Sequence, residues 1–228
     1  MTLIYGLLLA LFAGPSAAQV GSDQPTGIVQ GKIQAPSTDE FIDDILRARA
    51  ANRYISDEAH RKHVKQYTLS EKAVVYLETI GTPPSYDPPE SHPRLDQQDM
   101  LFRPIVLPVL VGTTVDFPNN DDLFHNVFSY SEPKEFDLGR YPQGQKKSVT
   151  FDKPGVVKVY CDIHSYMYAT ILVLENPYFA VPDEEGNYRI THVAPGKYRA
   201  CFWYGRKLVE TRMVTIAGSE THVENFAP

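Results

Sequence analysis

Apolar and polar positions along this chain follow a period of two, broken by turn residues, which is the signature of short strands. Gly27–Ile33 alternates, and Ala73–Leu77 is β-like. Ile105–Leu110 is apolar, with Pro104 and Pro108 restricting it to an edge or bent strand. Further strands are expected at 111–117, 125–130, 147–151, 156–161, 169–175, 187–193, 197–204, 208–215 and 220–226. Asp183–Gly186, Pro195-Gly196 and Gly218-Ser219 separate the last four. Only one stretch departs from this period. Ser37-x-x-Glu40 reads as a capping box opening a helix to about Ala50, and Ser56-Asp57-Glu58 as the N-cap of a second to about Tyr67. Between Pro83 and Pro93, five prolines exclude regular structure. The expected class is mostly β, in sandwiches, with a short helical insert near residues 39–67.

Composition narrows the setting. A chain of 228 residues has room for one large domain or two small ones. Its net charge of −6, without a basic run, argues against nucleic acid or anionic lipid as a partner. Two cysteines are too few for a disulfide framework or a cysteine-rich zinc or iron–sulfur site, and no C-x-x-C-H run attaches a haem. Leu3–Ala13 is an uncharged apolar run followed by Ser16-Ala17-Ala18, which reads as an export signal over residues 1–18 cleaved before Gln19. A membrane anchor is the competing account, but the run falls short of the ~20 residues that a spanning helix needs. The absence of Lys or Arg before the run is atypical of such signals. The expectation is a periplasmic or otherwise exported protein with no stable membrane insertion after cleavage.

The chemistry concentrates in Tyr160-Cys161-Asp162-Ile163-His164-Ser165-Tyr166-Met167, between two strong strand signals. It offers a thiolate, an imidazole and a thioether at i, i+3 and i+6, and His125 upstream supplies a second imidazole. Two histidines and a cysteine with a distant methionine form the ligand set of blue-copper sites. Each residue alone has a plainer account. Cys161 fits a buried small hydrophobe or a disulfide to Cys201, Met167 fits core packing, and His125 fits a surface or core histidine.

The runs VGTTVDFPNNDDLFHNVFS and GVVKVYCDIHSYMYATILVLE resemble the cupredoxins, over about residues 98–175. The Cys-x-x-His-x-x-Met spacing is most like that of amicyanin. The resemblance implies a Greek-key β-sandwich, here placed at 72–175, holding one copper ion that alternates between Cu(I) and Cu(II). Carried over by position, the ligands are His125, Cys161, His164 and axial Met167, and the side chain of Asn126 ties the two ligand loops together. Ile163 and Ser165 stand where proline is usual, so a backbone N–H is free to bond the Cys161 sulfur.

No His-x-His or His-Cys-His sequence provides a second metal, and a four-ligand site leaves no open position for a substrate. The expected function is single-electron transport between exported redox partners, such as a c-type cytochrome or a dehydrogenase, and not enzymatic turnover. The alternative is a non-redox module, either a copper carrier or an adhesion-type sandwich with a structural metal. Asp121, Asp122 and Asp162 are expected to steer a cationic partner. Residues 176–228 resemble the carboxypeptidase regulatory-like (transthyretin-like) sandwich, and Gly27–Gly31 supplies its opening strand. A split second domain of 27–36 with 176–228 follows, with residues 39–70 as a helical insert. Which domain owns Ala73–Leu77 stays open. His60 and His63, at i, i+3, are taken as a solvated helix face.

Overall fold

The computed structural model describes residues 25–37, 40–41, 66–164 and 166–227. The export signal at 1–18, most of the 39–67 insert with His60 and His63, and Ser165 lie outside the described residues. At the start of the insert, Ser37 Oγ accepts a hydrogen bond from Glu40 N (3.2 Å), as the capping reading expects.

The chain opens with β1 (Gly27–Lys32), a single-turn helix α1 (Leu69–Lys72), β2 (Ala73–Thr79), β3 (Asp96–Gln98) and β4 (Leu101–Arg103). It continues with β5 (Val106–Leu110), β6 (Thr114–Pro118), β7 (His125–Ser131), β8 (Lys134–Tyr141), β9 (Lys146–Thr150), β10 (Gly155–Tyr160) and β11 (Tyr168–Leu174). Last come β12 (Phe179–Ala180), β13 (Asn187–Val193), β14 (Gly196–Tyr204), β15 (Lys207–Ile216) and β16 (Thr221–Val223). The fold is mostly β, as the periodicity requires. Among the described residues no helix is long and apolar enough to cross a membrane.

The central sheet runs β5-β11-β10-β7-β8, with β6–β9 and the β3–β4 hairpin as separate ribbons. Its strands β5 and β11 are buried on both faces because both faces are covered. Ala169, Ile171 and Val173 of β11 join Val115, Phe117, Val127, Phe151 and Val159 in one core. The alternate residues Tyr168 and Leu172 join a second core with Val74, Val75, Leu77, Phe202 and Trp203. The continuous run ATILVL is therefore one strand serving two cores.

The second core lies among C-terminal strands. β2 pairs antiparallel with β14 from Ala73↔Tyr204 to Thr79↔Tyr198, so this strand shares a sheet (β12-β2-β14-β15) with the chain's end. The other sheet is β13-β1-β16, in which β1 runs antiparallel to β13 and parallel to β16. Gly31 in β1 is required there, because a Cβ would collide with the Glu224 carbonyl. Glu184, in the turn before β13, accepts hydrogen bonds from Leu69 N (3.0 Å) and Ser70 N (3.2 Å) at the start of α1.

Four features escaped the periodicity: α1, the β3–β4 hairpin, β8 and the two-residue β12. α1 is set by a Thr68–Glu71 capping box, too short to leave an apolar stripe.

Candidate metal centre

The donors meet because of strand register. β10 pairs antiparallel with β7 at Tyr160↔Phe128, which carries Cys161, one residue past the end of β10, to the start of β7 where His125 sits. Asn126 N then lies 3.5 Å from Cys161 Sγ and donates to it. The chain turns back after Cys161, with Met167 N donating to His164 O (2.9 Å), and resumes as β11. His164 is thereby folded over the cysteine.

His125 Nδ1 and His164 Nδ1 are 2.9 Å apart, and Cys161 Sγ is 4.0 Å from His164 Nδ1. One donor atom from each of the three residues lies within 4.8 Å of the others. His125 is wholly buried and Cys161 nearly so, while His164 keeps partial access to solvent. Met167 is also wholly buried, in the core that contains Cys161. Burial lowers the pKa of His164, and the adjacent His125 lowers it further. Both effects favour the neutral imidazole, the form that binds a metal.

A buried polar scaffold holds the loop before His125. Asn119 Nδ2 donates to Leu123 O (2.8 Å) and Tyr141 O (3.0 Å), while Tyr141 OH donates to Phe117 O (2.9 Å). Gln97 Nε2 donates to Tyr141 OH (2.6 Å) and Pro118 O (3.1 Å). With the loop fixed on both sides, the His125 ring has one direction to point.

Some sequence expectations change here. Asp121 is not a steering charge on the surface, because its carboxylate faces His125 Nε2 (2.8 Å) and two backbone amides. Asp162 pairs with Arg140 (2.9 Å), which cancels its charge beside the ligand loop. The side chain of Asn126 donates to Asp137 on β8 (2.7 Å), so the bond it makes to the other ligand loop is through its backbone N–H. Among the described residues the amide that reaches the sulfur is that of Asn126, not that of Ile163. Cys161 and Cys201 are both free thiols, so the disulfide alternative falls. Sequence reasoning missed Asp121 as a histidine partner.

A cysteine sulfur with two imidazoles suits a soft transition metal such as copper. Residues 90–174 match the family of copper binding proteins of the plastocyanin/azurin type. This stretch resembles a copper-binding domain. With the His–Cys–His cluster, the match gives copper as the cofactor.

Among solved structures, a copper-containing nitrite reductase from Thermus scotoductus SA-01 is 29% identical over 43% of this chain, with a TM-score of 0.37. The match spans 26% of that enzyme, about a quarter of its length. A purple cupredoxin from Nitrosopumilus maritimus is 25% identical over 36% of this chain and 98% of its own, with a TM-score of 0.33. A reduced amicyanin variant is 20% identical over 43% of this chain and 97% of its own, with a TM-score of 0.35. A search of curated protein sequences finds no match.

Proposed function

We propose that this protein is an electron carrier in which His125, Cys161, His164 and Met167 hold one copper ion. The observation that carries the reading is the convergence of the three donor atoms within 4.8 Å in a mostly buried pocket. When bound, copper supplies a one-electron Cu(I)/Cu(II) couple. The chain's own residues keep that couple free of other chemistry. Buried His125, Cys161 and Met167 keep three of the four side chains out of water. The scaffold of Gln97, Asn119 and Tyr141 holds the loop before His125 in place, which keeps rearrangement between the two oxidation states small.

Electrons leave through His164, the partly accessible donor. Leu123, Phe124 and Ile163 expose apolar surface beside it, at 46%, 57% and 39%. With Asp121 and Asp162 both engaged and Asp122 alone left to steer, docking depends on apolar contact more than on charge, and its rate depends weakly on salt. An exported redox protein, such as a c-type cytochrome, is the partner, and no enzymatic turnover takes place at this site. Stopped-flow reduction of the copper-loaded protein by a cytochrome c at two salt concentrations tests this. Fast, reversible transfer supports the carrier. A protein that never cycles and yields its copper to a chelator within minutes is a copper-delivery module instead.

A further inference from the structure

The β3–β4 hairpin carries a cluster that none of the above assigns. Its tip, Asp99-Met100, takes positive φ at both residues (57° and 56°), the conformation that Asn-Gly or Gly-Gly normally supplies. A strained turn of this kind persists only where its surroundings hold it. Here both tip amides donate to one carboxylate: Asp99 N to Asp121 Oδ1 (2.7 Å) and Met100 N to Asp121 Oδ2 (2.8 Å). The same Oδ2 faces His125 Nε2 at 2.8 Å. On its other side, the Met100 sulfur accepts a hydrogen bond from Tyr166 OH (3.1 Å), and the Tyr166 ring packs 5.9 Å from that of His164. The hairpin tip thus touches both ligand-bearing loops.

We infer that this tip is a clamp on the copper ligands, with Asp121 as the positioning residue that fixes His125 and biases the site toward Cu(II). The inference rests on the electron-carrier reading above. A carboxylate only accepts, so His125 carries its proton on Nε2 and turns the Nδ1 lone pair toward Cys161 and His164. A charged acceptor behind a ligating imidazole also makes it a stronger donor. A stronger donor favours the more highly charged metal, and so a lower reduction potential. Met100 acts on the other loop, where its sulfur holds Tyr166 two residues after His164.

Asp121→Asn keeps the shape but removes the charge and turns one of the two acceptor oxygens into an NH2 donor. The potential of the copper-loaded variant should rise, and the quadrupole coupling of one remote imidazole nitrogen, read by pulsed electron paramagnetic resonance, should change. Met100→Leu should leave that coupling alone and release copper to a chelator severalfold faster. The unaltered protein gives a check that needs no variant and no metal. Its ¹⁵N spectrum should show His125 protonated at Nε2, with slow hydrogen exchange. Finding that proton on Nδ1, or an unchanged potential in Asp121→Asn, overturns the clamp. The two readings fail separately: a chain that never cycles electrons but shows the protected Nε2 proton refutes the carrier and leaves the clamp's geometry standing.

Discussion

Two buried thiols divide the molecule into a part built for chemistry and a part built for packing. Cys161 lies at the end of β10, 4.0 Å from an imidazole nitrogen and 3.5 Å from a backbone amide. Cys201 lies in the middle of β14, where its thiol donates to the Arg199 carbonyl (3.6 Å) and hydrogen-bonds with Tyr76. Burial pushes the Cys201 thiol up to about 12, and the neighbouring Glu78 adds to the rise. A thiol that never ionises is neither nucleophile nor ligand. The same residue type at similar burial thus faces two imidazoles in one core and a phenol and a carbonyl in the other. What separates them is that only the first pairs its sulfur with groups able to share a metal.

That contrast is broken most severely at the first thiol. Cys161→Ser should abolish the strong visible colour of the copper-loaded protein entirely, whereas Cys201→Ser should leave it unchanged. Next in size, Phe202→Ala should cost about 3–5 kcal/mol by opening a cavity in the second core. Because Phe202 is wholly buried in that core and no donor shares it, the copper spectrum of the folded fraction should be unaltered. Denaturant titration and absorption on the same sample measure both.

Asp116 offers a smaller effect. Burial raises its pKa, but bonds from Lys146, Ser148 and His92 outweigh this and bring it down to about 2. Its stabilisation is therefore complete above the ordinary carboxylate range, about pH 4, and is lost as pH falls from there toward 2. Asp116→Asn should lose about 1–3 kcal/mol at pH 7. The stability difference from the unaltered protein should shrink steadily below pH 4. A gap that stays constant down to pH 2 would show that the ion pair is not its source. The smallest effect is that of Cys201→Ala, about 1 kcal/mol, with no change in copper affinity.

Most strands were legible because alternation and turn residues are local. β13 was expected at 187–193 and lies there, and β14 and β15 lie within a residue of their expected bounds. β8 was missed because half of KEFDLGRY is exposed. Its inward residues Phe136, Leu138 and Tyr141 do not stand out among charges and a glycine. The β3–β4 hairpin was missed because its turn, Asp99-Met100, lacks the glycine that normally announces positive φ. Tertiary bonds to Asp121 supply what the local sequence does not.

The same holds for the site. The His125, Cys161 and His164 cluster could be read from spacing and resemblance, since soft donors are rare and grouped. Asp121 could not, because an acid in an Asn- and Asp-rich loop looks solvated until a distant hairpin closes over it. The pairing of β2 with β14 was undecidable for a related reason. AVVYL is apolar on both faces, so its pattern names no partner.

The central claim is that His125, Cys161, His164 and Met167 surround a single copper. X-ray absorption on the copper-loaded protein counts those neighbours directly, in both oxidation states. The account predicts one short sulfur and two imidazole nitrogens at nearly the same distances in Cu(II) and Cu(I), with the sulfur lost in Cys161→Ser. A shell of nitrogen and oxygen alone, unmoved by that substitution, would contradict it.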